Sequence, residues 1–217
     1  MKKGLTELVF ILDRSGSMSG LELDTIGGFN GLIKKQKKQE GEANVTTVLF
    51  DDQYEILHDR IPLQAIRPMT EKQYYVRGCT ALLDAIGKTI HKMITVQKNT
   101  SEDYRAEKVI FVITTDGLEN SSREYSHDKI KKLIQTQKEN YHWEFMFLGA
   151  NMDAVAEAKK FGINEDRAVT YENDSEGIAL NYKVVADAVC CMRASSMPIK
   201  GEWKDEIVND VKRRFRK

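Results

Sequence analysis

Residues 9–20 read VFILDRSGSMSG, and with Leu8 they place five consecutive apolar residues directly ahead of an aspartate, with two serines following it at every second position. An apolar run of this length, closed by polar turn residues, is the sequence form of a strand buried on both faces, as in a parallel sheet covered by helices. Extended backbone turns residues two apart toward the same side. Asp13, Ser15 and Ser17 are therefore placed to converge where the chain leaves the strand, and three convergent oxygens suggest a hard cation.

Working outward, apolar runs and amphipathic stretches alternate almost from end to end. A strand over 7–12 is followed by a helix over 21–38, with Leu23, Ile26, Phe29 and Ile33 at helical spacing and the KKQKK run of 34–38 near its end, where cations suit the helix dipole. Residues 45–50 and 54–58, separated by DDQ, predict a hairpin that brings one antiparallel edge strand into the sheet. Pro62 and Pro68 bound an irregular stretch. A helix is expected over 81–94 with Thr80 capping its start, then a strand over 109–113, a helix over 125–137 and a strand over 143–150. A helix over 153–161 stopped by Gly162 and a short edge strand over 169–171 follow.

Ile178, Tyr182, Val185, Val189 and Met192 are spaced as the buried face of one more helix, and 203–217 reads as helix or, over KRRFRK, as a frayed tail. The expectation is a three-layer α/β fold: a doubly wound, Rossmann-like, mostly parallel sheet with one antiparallel edge strand and helices on both faces. It forms one domain over 1–217, with its core at about 7–171 and a C-terminal helical extension at about 172–217 that packs back on it.

A chain of 217 residues favours one domain with a substantial core. Its 33 basic residues are matched by 33 acidic ones, which argues against a broad basic nucleic-acid surface. Met1, Lys2 and Lys3 precede an apolar run, but Glu7 and Asp13 bound it too closely for a secretion signal. Nothing else approaches the ~18 uncharged apolar residues of a membrane span. The expected location is cytoplasmic. Cys79, Cys190 and Cys191 are odd in number and lack metal-ligand spacing, so buried or inert thiols are expected rather than a redox pair.

In a doubly wound sheet, loops leaving the carboxyl ends of the strands gather in one crevice. Asp116 ends the strand VIFVITTD and is followed by Gly117, while Thr80 stands in RGCT ahead of a helix, both at that edge. The set Asp13, Ser15, Ser17, Thr80 and Asp116 contains no imidazole and no thiolate. It disfavours zinc and copper and favours Mg2+, with Mn2+ or Ca2+ as the alternatives. At most two carboxylates face the ion and the other ligands are neutral hydroxyls, so the ion still attracts an outside anion. An aspartate or glutamate of a partner protein fits that demand.

DRSGS, Thr80 in a GCT turn and Asp116 in TTDG, in this chain order, resemble the metal-ion-dependent adhesion site of von Willebrand factor type A (vWA) domains. IGGFN at 26–30 and FMFLGAN at 145–151 are similar to compact stand-alone bacterial or phage members, and the resemblance covers about 7–171. It implies a mostly parallel sheet with one short antiparallel edge strand. By this resemblance Ser15, Ser17 and Thr80 ligate a metal directly or through water, and Asp13 and Asp116 supply charge, one or both through bridging waters. The implied function is metal-dependent protein–protein interaction. The same fold serves adhesion receptors, chelatase subunits, stress-resistance proteins and secreted factors, so fold alone does not choose among them.

Catalytic readings meet specific obstacles. GSMSG imitates a nucleophile elbow, but Met18 holds its centre, and no placement of His58, His91, His127 or His142 identifies a base. No Gly-Lys-Ser/Thr follows the glycines, so a phosphate-binding loop fails. The strongest rival is a magnesium-dependent phosphatase of the haloacid dehalogenase type. It needs an acid–base aspartate two residues after the first, where Ser15 stands. A non-enzymatic protein is therefore expected. Tyr74, Tyr75 and Arg77 are weaker candidates for lining a docking surface, and the basic C-terminal run reads as solvated.

Overall fold

The computed structural model describes residues 1–195 and 197–214. Strand β1 (Lys2–Asp13) sends Leu8, Phe10 and Leu12 into one apolar core and Val9 and Ile11 into another on the opposite face. That two-sided burial explains the unbroken apolar run. It also fixes β1 in the middle of a six-stranded sheet of order β3-β2-β1-β4-β5-β6. β2 (Glu42–Phe50) and β4 (Ala106–Thr115) flank it in parallel, and β5 (Glu144–Ala150) and β6 (Ala168–Tyr171) continue in parallel. β3 (Tyr54–Pro62) returns antiparallel on the edge. The expected doubly wound α/β architecture with one antiparallel edge strand is the one observed.

Helices α1 (Glu22–Gln36) and α5 (Ser175–Ala194) cover the face that takes Phe10, and α6 (Asp205–Arg214) adds Ile207 to the same core. On the other face lie α2 (Leu82–Asn99), α3 (His127–Tyr141) and α4 (Ala154–Lys160). The final helices pack on the sheet, and Trp203 Nε1 donates to Asp166 O at 2.7 Å. No described helix is long and apolar enough to cross a membrane. Of the expected terminal helix, 215–217 lie outside the described residues.

Several boundaries differ from expectation for local reasons. α2 starts at Leu82, and Thr80 makes no side-chain cap to it. Its last turn continues past Ile94, where the hydroxyls of Thr95 and Thr100 bond back to the carbonyls of His91 and Val96. α3 begins two residues later than its periodicity suggests. The N–H groups of Arg123, Glu124 and Tyr125 turn to the Asp84 carboxylate instead, and Ser126 caps the helix by accepting from Lys129 N. β3 runs on to Pro62 through a register break near Arg60, which has φ 50° and spans to the buried Glu7 carboxylate at 2.7 Å. The cysteines depart from the buried expectation: Cys79 and Cys191 are exposed and Cys190 is half-buried, all three free.

The packing of α5 on α1 sets a steric rule. A Cβ at Gly28 would lie 2.2 Å from the Tyr182 ring, whereas one at Gly27 or Gly31 would meet nothing within 4 Å. Gly28→Ala is expected to cost about 1–3 kcal/mol through displaced packing. Gly27→Ala and Gly31→Ala are each expected to stabilise by about 0.5–1 kcal/mol through helix propensity. Urea midpoints of the three variants check this, and equal midpoints would remove the Tyr182 contact as a constraint.

Candidate metal centre

The strand order reverses at β1: the chain first builds outward to β2 and β3, then crosses to β4 on the other side. Open α/β sheets bind ligands in the crevice at such a reversal, outside the carboxyl ends of the strands. Leu12 stands opposite Thr114, so Asp13 and Asp116 leave the sheet side by side. Both are 2% exposed.

Each sequence-predicted residue lies at this edge. Asp13 Oδ1 accepts from Ser15 N at 2.7 Å, closing a tight turn, and Oδ2 accepts from Thr115 Oγ1 at 2.6 Å. Ser15 Oγ lies 3.1 Å from Ser17 Oγ, and Ser17 Oγ donates to Asp116 Oδ1 at 2.5 Å. Thr80 reaches the same place. A Cβ at Gly117 would sit 3.1 Å from Thr80 Oγ1 and 3.3 Å from Ser17 Oγ, so the absence of a side chain there keeps open the space that the two hydroxyls share. The structure brings all five residues together.

Main-chain bonds lock the loops to one another. Gly16 N donates to Gly78 O at 3.1 Å and Arg77 N to Arg14 O at 2.9 Å, laying the Thr80 loop along the first one. Asn120 grips Thr80 twice, accepting its N–H at 3.0 Å and donating to its carbonyl at 3.1 Å. Arg14 and Asp51 are fully buried, and Asp51 Oδ2 accepts from Arg14 Nε at 2.9 Å and Arg77 Nε at 2.6 Å. Burial opposes ionisation of Asp51, yet the bond from Arg77 and the charge of Arg14 outweigh it and hold the carboxyl below its usual range. Tyr75 lies against both guanidiniums, 5.3 and 5.5 Å from its ring centre, and Arg14 Nη2 reaches Glu55 at 2.8 Å.

Reading the sequence alone missed these supports. Arg14 and Asp51 looked like turn residues. Asp84, an acid within the apolar face of a helix, carried a signal of its own. Its carboxylate is penalised by burial, yet three backbone N–H bonds hold it low. Asn120 and Asn173 gave no signal. Tyr74 is not part of an outer surface: it is 1% exposed, and its hydroxyl donates to Asp13 O at 2.5 Å.

Electrostatically, the two central carboxylates are unlike Asp51 and Asp84. Burial pushes the Asp13 carboxyl up to about 6, and burial also raises Asp116. Among the described residues no lysine, arginine or histidine offsets either charge. Two buried acids, three adjacent alcohols and a cradle that a Cβ would fill make a donor set suited to a hard divalent cation. Among the described residues no three or more His, Cys, Asp or Glu side chains group to hold a metal, and this site itself offers two acids with hydroxyls.

Comparisons with known proteins agree with this architecture. The sequence model of the von Willebrand factor type A domain matches residues 7–182. No curated protein matches the chain. Among solved structures, the vWF domain of the type V pili tip protein Mfa5 from Porphyromonas gingivalis has a TM-score of 0.60 at 12% identity, covering 89% of this chain and 98% of that one. Proximal thread matrix protein 1 from the mussel byssus, with a zinc-occupied MIDAS motif, has a TM-score of 0.59 at 13% identity, covering 85% and 46%. A von Willebrand factor type A protein from Catenulispora acidiphila gives 0.55 at 14% identity, covering 85% and 42%. This chain spans less than half the length of the latter two. At such identities the likeness is one of fold, and with the family match over most of its length the chain belongs to the von Willebrand factor type A domain family.

Proposed function

We propose that this vWA chain is a metal-dependent protein-interaction module. Asp13, Ser15, Ser17, Thr80 and Asp116 hold one divalent cation, magnesium by preference, and the cation docks an aspartate or glutamate of a partner protein. The observation that carries this reading is the pair of buried carboxylates with hydroxyls around them and no basic side chain to balance them. In a byssus protein of the same fold the corresponding motif takes zinc. Here the all-oxygen donor set favours magnesium, with manganese and calcium as competitors.

The chain's own residues divide the work. Asp13 and Asp116 supply the negative charge, and Ser15, Ser17 and Thr80 supply neutral oxygens. Thr115 and Ser15 N fix the Asp13 carboxylate, while Gly117 keeps the approach open. The bound cation supplies a Lewis-acidic site for an incoming carboxylate. Catalysis is not favoured. Both Asp13 oxygens are already engaged, which leaves a poor nucleophile, and Ser15 Oγ contacts Ser17 rather than a base.

Millimolar Mg2+ is expected to raise the melting temperature, because the ion binds the assembled loops and not the unfolded chain; saturation at 100 times Kd corresponds to about 2.7 kcal/mol. Thr80→Ala should weaken the response. Asp13→Asn should abolish it while making the metal-free protein more stable by roughly 1–3 kcal/mol, since the ionised carboxylate is costly there. Thermal melts with and without Mg2+ decide, and an unresponsive wild type would end the metal reading.

The sign of the pH effect follows from the raised Asp13 pKa. The native state holds its proton more tightly than the unfolded chain, so this group's contribution to metal-free stability is present at low pH and lost as pH rises to about 6. Protons compete with the ion in the same window. Apparent metal affinity should therefore fall progressively below about pH 6, and calorimetric titrations across pH 5 to pH 8, a range set around the carboxyl's pKa of about 6, read this directly. For the partner, affinity capture should recover proteins in Mg2+ that are lost in EDTA and by Thr80→Ala. Retention of the same proteins under all three conditions would show that the contact lies elsewhere.

A further inference from the structure

The loop that joins β6 to α5 enters the metal centre, although none of its residues belongs to the five-residue set. Tyr171 ends β6 in the core, and Asp174 caps α5 by accepting from Gly177 N at 2.8 Å. Between them the chain folds hard against the helix: a Cβ at Gly177 would lie 2.0 Å from Glu172 O. Arg214, from α6, pairs with Asp174 and braces the loop from outside. This built turn aims Asn173 at the site. Its Nδ2 donates to Asp116 Oδ2 at 3.2 Å, and its Oδ1 is buried without a partner among the described residues.

The orientation of that amide is fixed by chemistry. Turned over, it would press a carbonyl oxygen against an ionised carboxylate, so the nitrogen faces Asp116 and the oxygen is left as an unused acceptor. A buried acceptor left unpaired is unfavourable, and native structures rarely keep one without a reason. Oδ1 has no surface open to a water molecule, so what the residue offers the centre is its nitrogen. The Asp13 oxygens already receive Ser15 N and Thr115 Oγ1, and Asp116 Oδ1 receives Ser17 Oγ. Asp116 Oδ2 is the remaining carboxylate oxygen of the pair, and Asn173 Nδ2 holds it.

We infer that Asn173 is a sixth residue of the metal centre, a positioning residue that holds Asp116 through Nδ2 and so fixes that carboxylate for the ion. This rests on the metal reading above and deepens it. Outer-shell partners of this kind orient the ligands and tune the ion, and their loss typically weakens metal affinity 10- to 100-fold. The assignment separates Asn173 from a residue that merely shapes the loop, because the two roles move different observables.

Mn2+ is the probe, followed by titration and by the electron paramagnetic resonance spectrum of the bound ion, alongside melts of the metal-free protein. Asn173→Ala is expected to bind Mn2+ about 10- to 100-fold more weakly, with an altered spectrum of the bound ion. Asn173→Asp removes the donor and adds a charge beside Asp116. It should bind Mn2+ more tightly than Asn173→Ala while melting lower without metal. Wild-type affinity in Asn173→Ala, or a loss of metal-free stability with affinity unmoved, overturns the assignment and leaves the metal reading intact. A wild type that fails to bind Mn2+ overturns both.

Discussion

Two negative charges are buried at the point where the strand order of the sheet reverses, and the surrounding loops are arranged around that fact. The chain has other buried acids and treats them differently. Asp51 is given two arginines and Asp84 three backbone N–H groups, and both stay ionised below their usual range. Glu7, fully buried at the other end of β1, is given Arg60 and Asn44. Asp13 and Asp116 receive hydroxyls, one backbone N–H and one amide, none of them charged. Neutral donors only partly replace the water that burial removes, which is why both carboxyls are driven upward. A protein that neutralises its buried acids elsewhere leaves these two unbalanced.

That imbalance requires rigid surroundings, since flexible loops would let the acids turn to solvent. The rigidity comes from bonds that run between loops rather than within them. Arg14, lying between Asp13 and Ser15, points away from the oxygens and joins the β2–β3 turn to the Thr80 loop through Asp51 and Arg77. Glu119 ties the stretch after Asp116 to the start of α2, accepting from Leu83 N at 2.8 Å. Asp84 then secures the same stretch one turn further along. The buried Arg14–Asp51 pair is costly to desolvate and contributes little net stability of its own. Its effect is to make the relative position of three loops a single solution.

The sheet was legible because burial on both faces leaves an unmistakable apolar run: Leu8 to Leu12 and Val109 to Ile113 have no other sensible reading. The five oxygens were legible because each follows a strand or precedes a helix at a place the topology brings to one edge. What escaped was side-chain business conducted across long sequence separations. Thr80 looked like a helix cap because its neighbours are helical, yet its hydroxyl faces Gly117 and its backbone belongs to Asn120. The start of α3 was misplaced because the competing acceptor, Asp84, lies 41 residues from Tyr125. Asn173 is 57 residues from Asp116, and no periodicity records such a contact.

The balance of charges and alcohols also bears on what such a centre does with its ion. A hard cation surrounded by several carboxylates is neutralised and stored, as in high-affinity calcium loops. Asp13 and Asp116 together carry two negative charges, which match a divalent ion without exceeding it, and the hydroxyls of Ser15, Ser17 and Thr80 add geometry without adding charge. The residue that matters most to this argument is Ser15. An aspartate there would supply a third negative charge and, in a phosphatase, the proton-transfer group. A serine supplies neither, so the phosphatase reading lacks its proton-transfer group and an ion held there would not be surrounded by excess negative charge. On the proposed reading an acid from outside completes the ion's coordination, and position 15 is where the docking and phosphatase readings part.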